Sequence, residues 1–194
     1  MKGILVIIQC IIAAGFAIPE RIVIPVVGVT PGDWNRKSFW HESWGLSGVH
    51  KGIDIFGRLG TVVTSATAGI VLFVGSIARG GNVAVVLGPK WRLHYYAHLN
   101  SITAFALRLV PRGGELGTLG DTGNARGTPP HLHYSVVRIF SVTWDIDGST
   151  QGFWKAFYLD PDPYLFGIPC FFASRPTAAE YRCFIRRNRE RGYR

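Results

Sequence analysis

Five side chains in this sequence are of the right type and spacing to build a zinc site that keeps one position open: His50, Asp54, His98, His131 and His133. They fall in three short runs, His50-Lys-Gly-Ile-Asp54, Tyr95-Tyr-Ala-His98-Leu99 and His131-Leu-His133-Tyr134. A catalytic zinc takes three protein donors from imidazole nitrogen and carboxylate oxygen, and its fourth position is left for the attacking water. Residues four apart on a flat strand are separated by about 13 Å, too far for two donors to share an ion. The chain must therefore bend between His50 and Asp54, and Gly52 is the residue that lets it. His131 and His133 differ by two, so on a strand both rings lie on one face about 6.6 Å apart, one able to bind the metal while the other leans over the water. Any one histidine alone is more commonly structural, but four of the six in the chain sit in these three runs, each beside a glycine or proline turn.

These runs, with Gly120-Asp-Thr-Gly-Asn-Ala125 leading to Pro130-His-Leu-His133, resemble the signature of the lysostaphin-type zinc endopeptidases, which cut peptide cross-links of bacterial peptidoglycan. The resemblance is close over residues 48–137. It implies a mainly β fold, a single antiparallel sheet domain whose loops wall a groove, and one Zn2+ per chain. It implies His50, Asp54 and His133 as metal ligands and His131 and His98 as the catalytic histidines, which orient or deprotonate the water and stabilise the oxyanion. Neutral imidazole suits that task, because zinc brings the pKa of its water to about 7. The resemblance also puts substrate near the loop before His131. Tyr96, Thr122 and Asn124 are the expected substrate contacts, although turn formation accounts equally well for Thr122 and Asn124.

The elements that must position these residues are short strands and tight turns. With 194 residues, 13% aromatics, 24 glycines and 11 prolines, the composition suits one compact β-rich domain without internal repeats. Segments 61–66, 70–74, 82–87, 92–97 and 134–140 are rich in β-branched or aromatic residues and read as antiparallel strands. His94, Tyr96 and His98 are expected on one face of theirs, with His94 at the groove rim or in solvent. Arg21 to Thr30 reads as a first strand, at an edge because of Pro25. The loop from Pro31 to Gly48, with Trp34, Phe39, Trp40 and Trp44, either walls the groove or packs on the core. His41-Glu42 is half of a helical zinc motif, but Gly45 stands where the second histidine belongs. The glycines from 113 to 127 lack the ending of a phosphate-binding loop. Asp160 and Asp162 alternate with Pro161 and Pro163, which indicates a turn-rich closing segment rather than a second metal.

The ends differ in character. Residues 1–17 read as a secretory signal cleaved before Ile18 or as a retained membrane anchor: Lys2 precedes an uncharged, mainly apolar run with small residues at Gly15 and Ala17. Residues 18–168 form the expected metallopeptidase domain. Residues 169–194 form a basic tail with seven arginines against Glu180 and Glu190, contributing +5 to the formal +9 of the chain. Thr177 to Ile185 has the pattern of a short amphipathic helix, suited to an anionic membrane surface or acidic wall polymer. With Cys10 leaving with the signal, Cys170 and Cys183 are the two cysteines available to pair in an oxidising envelope compartment. The expected setting is the periplasm or exterior, the expected partner the peptide stems of peptidoglycan, and the expected state a monomer. Two other functions share some of these features. A non-catalytic envelope regulator on the same scaffold normally lacks ligands that are all present here, and a nucleic-acid binder, suggested by the basic charge, lacks a recognition motif.

Overall fold

A computed structural model describes residues 2–44 and 47–166. Its elements are α1 (Lys2–Ala17), β1 (Glu42–Trp44), β2 (Gly48–Val49), β3 (Ile53–Phe56), β4 (Val62–Thr64), β5 (Gly69–Ile77), β6 (Gly81–Gly88), β7 (Arg92–Ile102), β8 (Leu109–Val110), β9 (Glu115–Leu119), β10 (His131–Arg138), β11 (Tyr158–Leu159) and α2 (Asp162–Phe166), with short 3-10 turns between some of them. β1 and β2 form a hairpin, and the remaining strands form one nine-stranded sheet whose main path is β11-β10-β7-β6-β5-β8. β3 pairs with β10, and β9 pairs with both β7 and β4. Every pairing is antiparallel.

Period-two alternation gives this sheet two unlike faces. Ile53 and Ile55 of β3, and Leu132, Tyr134 and Val136 of β10, point into a core that also takes Ile22, Val63, Val86, Leu99 and Leu119. Burying each such aliphatic side chain contributes about 1.5–3 kcal/mol. The intervening residues, Asp54, His131, His133 and Ser135, lie on the opposite face. The core therefore fixes the site: a register slip of one residue would turn every donor inward and every aliphatic outward.

Most expected strands are present, with β7 and β5 longer than anticipated. Residues 21–30 are a correction. They form no strand; Val26 makes an isolated bridge to Val63, and Val23 N–H, Val27 N–H and the Pro25 carbonyl bond the chain at Ala66, Val62 and Thr64. Residues 22–26 are buried throughout, so this stretch has no solvent face, and Pro25 lacks a donor for a second ladder. The closing segment ends in α2, where Asp162 is buried and accepts hydrogen bonds from Trp34 Nε1 (2.8 Å) and Arg36 Nε (3.0 Å). Asp162 is thus a structural clasp.

α1 rests on the sheet through Trp91 Nε1, which donates to the Ile12 carbonyl at 2.9 Å, and through Phe16, whose ring lies 5.3 Å from that of Phe140. Among the described residues no helix is long and apolar enough to cross a membrane. The expected tail helix and the Cys170–Cys183 pair lie outside the described residues.

Candidate metal centre

Antiparallel pairing of β3 with β10 sets His133 directly opposite Asp54 and His131 opposite Phe56. His133 also lies opposite Ala97 of β7, so the site is built on the middle of the sheet. His50 comes from the turn before β3, and Gly52 is what lets that turn close. A Cβ on Gly52 would lie 2.5 Å from Ser135 Oγ, 2.6 Å from the Tyr134 carbonyl oxygen and 2.9 Å from His133 Cε1. Only a residue without a side chain can cross β10 this closely.

The result is a tight triangle. His50 Nε2 is 3.1 Å from Asp54 Oδ1 and 3.1 Å from His133 Nδ1, and His133 Nδ1 is 2.9 Å from Asp54 Oδ1. The far nitrogens of both rings assign the protons. His50 Nδ1 is 3.0 Å from the Ser38 carbonyl, which can only accept, so the proton is on Nδ1 and Nε2 carries a lone pair. Ser135 Oγ gives its hydrogen to the Lys51 carbonyl at 2.7 Å and accepts from His133 Nε2 at 3.0 Å, so His133 Nδ1 carries a lone pair. Burial on its own raises the Asp54 carboxyl, but the adjoining His133 and His50 outweigh it and hold the group well below the usual carboxylate range. Two lone-pair nitrogens thus face one carboxylate in a largely buried site, an arrangement that a bound cation stabilises. His50, Asp54 and His133 are the group whose donor atoms lie close enough to hold a metal ion.

The other two histidines flank this triangle, both with the ring proton on Nδ1. His131 Nδ1 donates to the Pro129 carbonyl (2.8 Å), leaving Nε2 4.0 Å from Asp54 Oδ2. His98 Nδ1 donates to the Thr122 carbonyl (2.8 Å), and its ring centroid lies 5.0 Å from that of His131. Burial lowers the His98 pKa to about 4, against the opposing pull of the Thr122 carbonyl and with help from neighbouring His131 and His133, so the ring is neutral at ordinary pH. Four imidazoles thereby turn an unprotonated nitrogen towards one volume.

His98 reaches that volume by breaking the alternation of β7. Tyr96 pairs with Ala84 but Leu99 with Asn82, so two residues, Ala97 and His98, stand opposite one. This is a β-bulge, with His98 at φ 65°, in the left-handed region that non-glycine residues seldom adopt. Downstream of the bulge β7 leaves β10 and pairs with β9.

Two expectations for this strand are corrected. Tyr96 is not a substrate contact: it is 0% exposed, and its hydroxyl accepts from the Ala66 N–H at 2.8 Å. Tyr95 takes the groove position instead, and its ring lies 6.3 Å from that of His133. His94 is not at the rim: it is 0% exposed, bonded to Tyr134 Oη (2.7 Å) and Glu20 Oε1 (3.1 Å). Glu20 also pairs with Arg92, which fastens the segment after α1 to the sheet. Thr122 serves the scaffold. Its hydroxyl accepts from Asn82 N–H and donates to the Leu99 carbonyl, while its own carbonyl holds His98. Asn124 is exposed on the groove.

The aromatic loop divides between its two expected roles. Trp34 and Trp40 are buried, the latter donating to the Thr150 carbonyl, whereas Trp44 is 39% exposed and stacks on His50 at 4.1 Å and 26°. The groove measures about 530 Å³ and has the donor triangle in its wall together with Trp44, Tyr95, His98, His131 and Asn124. Sequence reasoning missed Tyr95, Ser135, Lys51 and Arg79; the two-residue step from His133 marked Ser135, but nothing local marked Arg79.

The family model for peptidase family M23 matches residues 48–145, about half of the chain and the stretch that holds every one of these histidines. The chain belongs to peptidase family M23. Among its relatives in sequence, the L-Ala--D-Glu endopeptidase of Bacillus subtilis is 31% identical over 125 residues, covering 59% of this chain and 38% of that protein. The peptidoglycan DD-endopeptidase ShyA of Vibrio cholerae is 32% identical over 88 residues, 45% of this chain and 20% of that protein. The M23 chain therefore spans well under half the length of these relatives. The catalytic domain of lysostaphin from Staphylococcus simulans superposes with a TM-score of 0.53 at 24% identity, over 69% of this chain and 93% of that domain, which shows a shared fold.

Proposed function

We propose that this M23 domain is a zinc-dependent endopeptidase that hydrolyses peptide cross-links of bacterial peptidoglycan. The observation that carries the proposal is the triangle of His50 Nε2, Asp54 Oδ1 and His133 Nδ1, within 3.1 Å of one another and with ring protons assigned elsewhere. A zinc ion held by these three would lower the pKa of water to about 7 and polarise the scissile carbonyl.

The remaining steps belong to the protein's own side chains. His131 and His98 direct unprotonated Nε2 atoms into the groove, where one accepts the proton of the attacking water and returns it to the leaving amine. Once protonated, the same nitrogen becomes a donor to the developing oxyanion. The Pro129 and Thr122 carbonyls hold both rings in the tautomer this requires. Trp44, Tyr95 and Asn124 supply the contact surface for an extended peptide. Peptidoglycan as substrate is supported by the names of the relatives, an L-Ala--D-Glu endopeptidase and a peptidoglycan DD-endopeptidase.

Around the catalytic domain, residues 18–168, we place a signal or anchor in 1–17 and a basic, membrane- or wall-directed tail in 169–194, with a monomer acting in the cell envelope. The test is release of new amino termini from purified cross-linked muropeptides by the zinc-loaded chain. Release is expected to be lost in His131→Ala with zinc retained, and in Asp54→Ala with zinc lost. A zinc-loaded wild type that binds muropeptides and releases none would put a non-catalytic regulator in place of the peptidase.

A further inference from the structure

Beyond the donor triangle, the fixed charges lining the groove are two cations, Lys51 and Arg79, among the described residues. Lys51 follows His50 directly, and its ammonium is met by the neutral Gln151 Oε1 at 2.5 Å. Arg79 lies in the β5–β6 turn, exposed, and its guanidinium has no hydrogen bond or ion pair among the described residues. Main-chain bonds fix both positions to the site. The Lys51 carbonyl holds Ser135, which orients His133; the Arg79 carbonyl accepts from Asn124 N–H, and the next residue, Gly80, accepts from His98 N–H at 2.8 Å. Among the described residues Asp54 is the one acid in the groove wall, and it is turned towards His50 and His133.

The sheet order places the two cations on opposite banks. Lys51 enters β3, and Arg79 precedes β6, with β10 and β7 and their histidines between. Three strand spacings come to about 14 Å, the length of about four residues of extended peptide. We infer that Lys51 and Arg79 make the groove selective for peptides that carry a free carboxylate on each side of the scissile bond, within about two residues of it. This rests on the peptidase reading above and names the class of cross-link: acidic stems joined directly, rather than amidated stems or uncharged glycine-like bridges. A peptide lying across the histidines leads one carboxylate to each bank, where a charge-assisted hydrogen bond fixes the register of the bond to be cut. A neutral peptide leaves Lys51 on Gln151 and Arg79 in solvent, and gains nothing from either charge.

The experiment compares the full zinc-loaded chain on a cross-linked muropeptide with free carboxylates and on the same molecule with those carboxylates amidated. The wild type is expected to show a kcat/KM about tenfold higher on the free acid, about threefold from each of the two exposed charge pairs. Lys51→Gln and Arg79→Gln are each expected to reduce that ratio to about threefold, and the double variant to about one. Raising the salt to 0.5 M is expected to narrow the wild-type ratio. In parallel, calorimetric affinity of zinc-loaded His131→Ala for the same pair reads selectivity without turnover. Equal kcat/KM for acid and amide, equal affinities in His131→Ala, or a ratio that survives in the double variant would overturn the inference. Cleavage of both peptides at one rate would leave the peptidase standing, whereas selective binding without cleavage would remove the peptidase and keep the selectivity.

Discussion

Asp54 Oδ1 and His133 Nδ1 face each other at 2.9 Å across the β3–β10 pair, and the proton that would make this an ordinary hydrogen bond is on the other side of the ring, donated to Ser135 Oγ. His50 Nε2 completes the same geometry at 3.1 Å, its own ring proton bound to the Ser38 carbonyl. Two outer contacts thus determine which nitrogens face the carboxylate, and they make the pocket a receptor for a cation.

Ser135→Ala tests the outer contact on its own. The hydroxyl touches no donor triangle atom other than through His133 Nε2, so the three candidate ligands stay in place while one ring loses its tautomer lock. Zinc affinity, measured by competition with a chromogenic chelator, is expected to fall about 10–100-fold. An unchanged affinity would remove Ser135 from the account.

Gly52→Ala tests the turn. The added methyl would meet Ser135 Oγ, the Tyr134 carbonyl and His133 within 2.9 Å, and two of these atoms belong to the site itself. A loss of about 1–3 kcal/mol in metal-free stability is expected from urea unfolding, together with weaker zinc binding.

The elements that were legible in the sequence are those set by local spacing. His50 and Asp54 are four apart and demand a bend at Gly52; His131 and His133 are two apart and demand a strand. The residues that were misplaced depend on events that spacing does not encode. The bulge at Ala97–His98 adds one residue to β7, so His98 leaves the face of Tyr96 and joins that of Tyr95. His94 turned out buried because Glu20, 74 positions away, supplies its partner. Trp34 and Asp162 meet across 128 positions, which is why a proline-flanked acid that reads as a turn is a clasp in the core. Residues 21–30 have strand composition, yet 22–26 are buried throughout and the segment makes a bridge rather than a ladder.

The pH dependence of the metal-free protein follows from His98. Its pKa in the folded chain is lowered to about 4 from 6.5, so between these values the unfolded chain binds a proton that the folded chain does not. Stability therefore falls as the pH drops from about 6.5 to about 4 and is insensitive to this ring above 6.5. The loss is expected to be on the order of 2 kcal/mol. Comparing the pH dependence of unfolding free energy for wild type and His98→Gln, both free of metal, is expected to show a shallower acid limb in the variant. Identical limbs would contradict the burial-driven shift.

Asp162→Ala separates scaffold from site. It leaves the buried Trp34 indole N–H without its acceptor and Arg36 without its carboxylate, at a cost of about 2 kcal/mol, or roughly 4–8 °C in Tm. Zinc stoichiometry is expected to stay at one ion per chain, because Asp162 is a clasp and not a ligand.

The most direct test of the central claim is a calorimetric zinc titration of the purified, metal-free chain beside Asp54→Ala and His133→Ala. One zinc ion per wild-type chain, with affinity reduced at least 100-fold in both variants, is the predicted result. Wild-type binding that is no tighter than that of either variant would contradict a metal centre at His50, Asp54 and His133, and with it the hydrolase.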